Sequence, residues 1–256
     1  MKSKWFVLML VMVFGVTLLF TACGDDNDAD SPQPIIVLGD SLSSGWNTVQ
    51  STPTVDTLAN AWPATFEKWV NVPVINVSRN GNFTTEALND LNSKVLARNP
   101  QIVVIQLGAN DFFEIDLAAG DPAVAIGAGI ENIRANIASI INQLDNGERK
   151  IYVAKWYNQT VAEEWVANNA PPLAPMIPTL LGMFDQAYAS LAQGKDNVTL
   201  MAQDVWANGV WDNHRDWDRI HPLASGCVVM AGTYFDAMKA YLNEKDLLSA
   251  AGKAKL

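Results

Sequence analysis

Short apolar runs and amphipathic stretches alternate along the chain from about residue 34 onward. Ile35-Ile36-Val37-Leu38 is a continuous apolar run, the pattern of a strand buried on both faces. Val74-Ile75-Asn76-Val77, Ile102-Val103-Val104-Ile105-Gln106-Leu107, Ile151-Tyr152-Val153-Ala154 and Val198-Thr199-Leu200-Met201 repeat it. Between and after them, helical periods are predicted at about 57–70, 84–98, 125–144, 175–193 and 225–248. The period is clearest where Ile126, Ile130, Ile133, Ile137, Ile140, Ile141 and Leu144 advance by three or four positions. Strand–helix alternation of this kind predicts right-handed βαβ units around a parallel sheet, an α/β domain over residues 34–256.

The first residues follow a different logic. Lys2 and Lys4 precede an uncharged apolar run from Trp5 to Ala22, and Cys23 follows. A basic head, an apolar middle and a small-residue exit predict an export signal over residues 1–22. A retained membrane anchor and a simple secretory signal are the competing readings. Leu19-Phe20-Thr21-Ala22-Cys23 resembles a bacterial lipobox, which implies a lipid anchor on Cys23 and a cell-envelope lipoprotein. Residues 23–33, with Asp25, Asp26, Asp28 and Asp30 before Pro32, read as an acidic, flexible linker.

In an open parallel sheet, ligands gather at the carboxyl ends of the strands, so the strand exits are where chemistry is expected. The first run leads into Gly39-Asp40-Ser41-Leu42 and the second into Asn76 through Gly81. The third leads into Gly108-Ala109-Asn110-Asp111, and Asp218-Arg219-Ile220-His221 stands before the last helical pattern. A serine needs a base to accept its proton during attack, and His214 and His221 are the two histidines of the chain. Asp218 lies three residues before His221, near enough to hold its other ring N–H. His214 falls in the polar stretch Asp212 to Asp216 and reads as exposed loop. Without Ser41, His221 would read as a surface histidine capped by Asp218. No Gly-x-Ser-x-Gly occurs, so the nucleophile elbow of α/β-hydrolases is not supported.

The four segments, taken in order, resemble the GDSL, or SGNH, family of serine esterases and lipases. Gly39-Asp40-Ser41-Leu42 matches its nucleophile block, Gly81 its glycine block, Gly108-Ala109-Asn110-Asp111 its third block and Asp218-x-x-His221 its last. Ala61-Trp62-Pro63 and the Asn76-to-Gly81 spacing bring the chain nearest the bacterial thioesterase, arylesterase and lysophospholipase branch. Phe83 departs from the threonine frequent after the glycine block, and Arg219-Ile220 replace a frequent glycine in the last. The resemblance implies a three-layer α/β/α sandwich with a five-stranded parallel sheet, flavodoxin-like in topology. It also implies a catalytic set of Ser41, Asp218 and His221, with an oxyanion hole from Ser41, Gly81 and Asn110. The expected reaction is hydrolysis of carboxylic esters of short to medium acyl chains, thioesters or lysophospholipids through an acyl-enzyme on Ser41. A carbohydrate O-acetylesterase is the alternative, followed by a non-catalytic surface binding domain.

Composition narrows the partners. With 17 Lys plus Arg against 27 Asp plus Glu, the net charge is −10. Such a chain gains nothing from counterion release, so no nucleic-acid partner is expected. Two histidines and two cysteines leave little for a metal centre, and neither metal nor cofactor is expected. Asp40 and Asp111 read as structural hydrogen-bond partners at the strand ends. Cys227 reads as a buried, inert thiol. The Pro-rich segment from Trp156 to Leu181 is expected to form a lid or wall beside the site. Trp206, Trp211 and Trp217 line a groove or pack a loop. Asn158-Gln159-Thr160 and Asn197-Val198-Thr199 match the glycosylation pattern, which a bacterial lipoprotein leaves bare. The expected partners are an ester substrate and, through Cys23, a membrane; the protein is expected to be a monomer.

Overall fold

In a computed structural model, described for residues 32–46, 58–118, 120–213 and 220–256, each apolar run is a strand. These are β1 Ile35–Gly39, β2 Val74–Asn76, β3 Ile102–Gln106, β4 Lys150–Lys155 and β5 Val198–Asp204. The expected signal segment, most of the linker and Cys23 lie outside the described residues, as do His214, Trp217 and Asp218. The described helices are α1 Ser41–Ser44, α2 Trp62–Phe66, α3 Thr84–Lys94, α4 Ala109–Phe113 and α5 Pro122–Leu144. They continue with α6 Gln159–Asn169, α7 Ile177–Ser190, α8 Val210–Asn213, α9 Ala224–Glu244 and α10 Ala250–Lys253.

All strand pairs are parallel, in the order β2-β1-β3-β4-β5. The step from β1 to β2 runs one way across the sheet and every later step runs the other. Right-handed crossovers therefore put the first connection on one face and the later ones on the opposite face. Accordingly α2 packs with α9, whereas α3, α5 and α7 pack in succession, giving the three expected layers. The direction in which successive connections step across the sheet reverses between β1 and β3, and this topological switch point is where flavodoxin-like sheets open a crevice.

The central strands β1 and β3 are buried along their whole length, which is why residues 35–38 and 102–105 are unbroken apolar runs. The isoleucine stripe of α5 is buried in the same core, from Ile126 to Leu144. Each such side chain contributes about 1.5–3 kcal/mol of transfer free energy on burial. Among the described residues α5 is the one helix long and apolar enough to cross a membrane, but its stripe faces this core.

Two expected helices and one expected lid or wall segment differ from their sequence reading. The 57–70 period breaks into turns of 3-10 helix at Leu58–Asn60 and Glu67–Trp69 around the short α2, whose first turn holds Pro63. The 84–98 period ends at Lys94 and tightens into Leu96–Arg98, because Asn99 turns left-handed at φ 43° before Pro100. The Trp156–Leu181 segment contains a whole extra helix, α6. Asn158 caps it, accepting a bond from Val161 N at 2.9 Å, and Ala170 ends it ahead of Pro171 and Pro172.

Candidate active site

Ser41 begins the single turn α1 immediately after β1. Asp40 caps that turn, its Oδ1 accepting from Leu42 N at 3.0 Å, and Gly45 closes it at φ 86°. Gly39 is required for space: a Cβ there would stand 2.8 Å from Ser43 Cβ and 2.9 Å from Ser78 Oγ. Gln106 lies opposite Gly39 in the parallel register and reaches two residues of the α1 segment at once. It donates to Asp40 Oδ1 at 3.0 Å and accepts from Ser43 Oγ at 2.8 Å. Ser43 Oγ also accepts from Trp62 Nε1 at 2.9 Å, and Trp62 stacks on Tyr234 with ring centroids 3.7 Å apart. Ser41 is thereby held on a buried polar lattice while staying 8% exposed.

The β2 exit is laced to β1. Arg79 N donates to Gly39 O at 3.2 Å, Asn82 Nδ2 donates to the same oxygen at 3.0 Å, and Asn76 Nδ2 donates to Ser43 O at 2.7 Å. Asn82 N closes a turn on Arg79 O at 3.2 Å, with Gly81 in its third position at φ 67°. That position of a type II turn calls for glycine by backbone conformation. Space is not the reason, since an added Cβ at Gly81 meets nothing within 4 Å.

At the β3 exit, Asn110 Nδ2 donates to Asn82 O at 3.1 Å. An amide carries two N–H donors, so this bond fixes the plane in which the second lies. The next residue anchors α4: Asp111 Oδ2 accepts from Thr84 N at 3.0 Å, and Thr84 Oγ1 donates to its Oδ1. Asn136 of α5 donates to Thr84 Oγ1 at 2.9 Å. Asp40 and Asp111 thus serve as structural partners at strand ends. Among the described residues, no group of three or more His, Cys, Asp or Glu stands together as a metal site would need.

His221 lines the same cleft as Ser41 and Asn110, and its ring meets Trp46, just past α1, edge-on at 6.4 Å. Of the expected site residues, Ser41, Asn110 and His221 are brought to one cleft, whereas Gly81 sits in the adjoining turn and is not a wall residue. Asp40 is buried beneath them, and among the described residues its Oδ2 has no hydrogen-bond partner. Burial pushes its carboxyl up to about 6, against the pull of Leu42 N–H, the Gln106 amide and His221.

The cleft has a volume of about 210 Å³ and leads away from Ser41 between aromatic walls. Trp156 leaves β4 and Trp206 leaves β5, and the Trp206 Nε1 donates to Trp156 O at 2.6 Å. Trp211 meets Trp206 edge-on at 4.9 Å, so both indoles pack the loop and line the cleft. The opposite wall is α6, which presents Val161, Glu164, Trp165 and Asn168, successive positions of one helical face. The α6 part of the Trp156–Leu181 segment therefore lines the cleft.

The sequence profile of the GDSL-like lipase/acylhydrolase family matches residues 37–227, most of the chain. The chain belongs to this family. GDSL-like acylhydrolases hydrolyse ester bonds. Thioesterase 1/protease 1/lysophospholipase L1 of Escherichia coli strain K12 is 32% identical over 104 residues. That match covers 40% of this chain and 43% of the relative, so the chain spans less than half the length of the curated relatives it matches. The crystal structure of TesA is similar over 81% of this chain and 99% of its own, at 19% identity and a TM-score of 0.59. A psychrotrophic esterase, EstA, from Pseudoalteromonas sp. is similar over 82% of this chain and 99% of its own, at 16% identity and a TM-score of 0.55. At these identities the two structures bear on the fold alone.

Within this GDSL-like site, Asn82, Ser43 and Gln106 were not singled out from sequence. Gln106 carried a signal, being a polar residue inside the most apolar strand. The cleft-facing side chains of α6 were also missed, although Asn158 followed by a helix-forming stretch marked its start.

Proposed function

We propose that this chain is a serine esterase that hydrolyses carboxylic esters of short to medium acyl chains through an acyl-enzyme on Ser41. The observation that carries this reading is the convergence of Ser41, Asn110 and His221 on one aromatic cleft at the switch point of the sheet. Ser41 Oγ attacks the ester carbonyl while His221 takes its proton, and Asp218 holds the imidazole in the required tautomer. Negative charge on the carbonyl oxygen is met by the backbone N–H groups of Ser41 and Gly81 and by the Asn110 amide. Collapse expels the alcohol, which leaves with the proton held by His221. Water then attacks the acyl-enzyme while His221 accepts its proton, and collapse breaks the acyl–Oγ bond, frees the acid and returns that proton from His221 to Ser41 Oγ.

The test is steady-state hydrolysis of p-nitrophenyl esters from acetate to palmitate. Ser41→Ala is expected to lower kcat by roughly 10⁴-fold or more, with melting unchanged. Full activity in a folded Ser41→Ala protein contradicts the mechanism. The thioesterase and lysophospholipase names of the Escherichia coli relative extend the substrate list to acyl thioesters and lysophospholipids. Indole-rich walls also suit acetylated sugars, and hydrolysis of acetylated xylan in preference to every aryl ester selects that reading instead.

A further inference from the structure

We propose that Trp165 is the specificity-determining residue that ends the acyl pocket, and that its indole partitions the cleft from an apolar void behind it. The proposal rests on the ester-hydrolase reading and adds to it which chain lengths the site accepts, and why.

The cleft of about 210 Å³ has to hold both the acyl chain and the departing alcohol, which leaves a short run for the chain. Behind the α6 wall lies a second, smaller void of about 20 Å³ among Phe112, Tyr157, Ala162, Val166, Leu180 and Phe184. Trp156, Val161 and Trp165 line both spaces, so these three side chains form the partition. The first two are fixtures. Trp156 is 4% exposed, closes on Phe184 at 5.3 Å and leaves no room for a Cβ at Gly108, while Val161 is 6% exposed at the capped start of α6. Trp165 is the large and only half-buried member. Its ring lies 4.8 Å from Phe112, which faces the void, and 6.4 Å from Phe113, which faces the cleft.

The indole thus stands between an open apolar cleft and further apolar space. Its removal joins the two and lengthens the pocket along a direction already lined by hydrocarbon. Each methylene newly taken out of water is worth about 0.8 kcal/mol, or about fourfold in kcat/KM.

The experiment compares wild type, Trp165→Ala and Trp165→Phe on p-nitrophenyl butyrate and dodecanoate. Trp165→Ala is expected to raise the dodecanoate-to-butyrate ratio of kcat/KM at least tenfold. Trp165→Phe, which keeps a smaller ring in place, gives a smaller rise in the same direction and secures the result if the alanine variant is unstable. Adding Ala162→Leu, which refills the space from the void side, is expected to return the preference toward butyrate. Calorimetric binding of butyrate and dodecanoate to Ser41→Ala proteins with and without Trp165→Ala reads the same selectivity without turnover. An unchanged chain-length ratio in both assays overturns the partition. Absence of ester hydrolysis by the wild type, with an intact shift in binding, instead overturns the hydrolase reading alone.

Discussion

On the β1–β3 side of the cleft, Ser41 and Asn110 are held by hydrogen bonds whose partners sit on three different strand exits. On the α6 side, the cap of the helix is hydrogen-bonded through Asn158, and Trp165 meets the rings of Phe112 and Phe113. Directional bonds fix a hydroxyl or an amide to within tenths of an ångström, which charge stabilisation in a transition state requires. Packing fixes a volume, which is all that a chain-length limit requires. On the proposed reading, one face sets the chemistry and tolerates little change, and the other sets the selectivity and can be reshaped.

The comparison breaks first at Asn110. If its amide meets developing charge, Asn110→Ala lowers kcat by roughly 100- to 1,000-fold, about 2.7–4 kcal/mol of barrier, with little change in KM or melting. Asn110→Asp is expected to be at least as inactive, because a carboxylate there repels the oxyanion. A normal kcat with a lowered melting temperature returns Asn110 to a loop cap.

A second effect, of comparable size, concerns charge on the bonded side. Asp40 is held up to about 6 by burial, against an ordinary 3.8, so the folded protein favours its protonated form. The stability it contributes is full below about pH 4 and is lost as pH rises through about 6. The loss is on the order of 3 kcal/mol. Asp40→Asn keeps an acceptor for Leu42 N and Gln106 but does not ionise. The stability difference between Asp40→Asn and wild type, from denaturant melts, should therefore grow in favour of the variant between pH 4 and pH 7. A difference independent of pH contradicts a raised Asp40.

The smallest effect falls on the packed side. Asn158→Ala removes the α6 cap and the 3.2 Å bond to Asp204 Oδ1, and is expected to cost about 1 kcal/mol while leaving butyrate hydrolysis in place. A collapse of activity there shows that the wall is more than a boundary.

This difference in physics also explains what was legible in sequence. Central parallel strands must be apolar on both faces, so β1 and β3 stood out, and the glycines and polar residues at their exits marked the crevice. Gly39 and Gly108 could be read because each sits where a Cβ collides, with Ser43 and Ser78 in one case and Ile133 and Trp156 in the other. The helix α6 could not be found by its hydrophobic period. A wall that faces a cleft carries Val161, Glu164, Trp165 and Asn168 together rather than an apolar stripe. The break in the 57–70 period escaped for a related reason: Trp62 and Phe66 keep helical spacing, but the backbone tightens into 3-10 turns on either side of them. The role of Gln106 was hidden because its partners, Asp40 and Ser43, lie more than sixty positions away in the chain.

The most direct measurement is covalent labelling with a fluorophosphonate, followed by peptide mass spectrometry. A single adduct on Ser41, absent from Ser41→Ala and slowed in His221→Ala, is the predicted result. An adduct on any other residue, or equal labelling of the Ser41→Ala protein, contradicts Ser41 as the nucleophile.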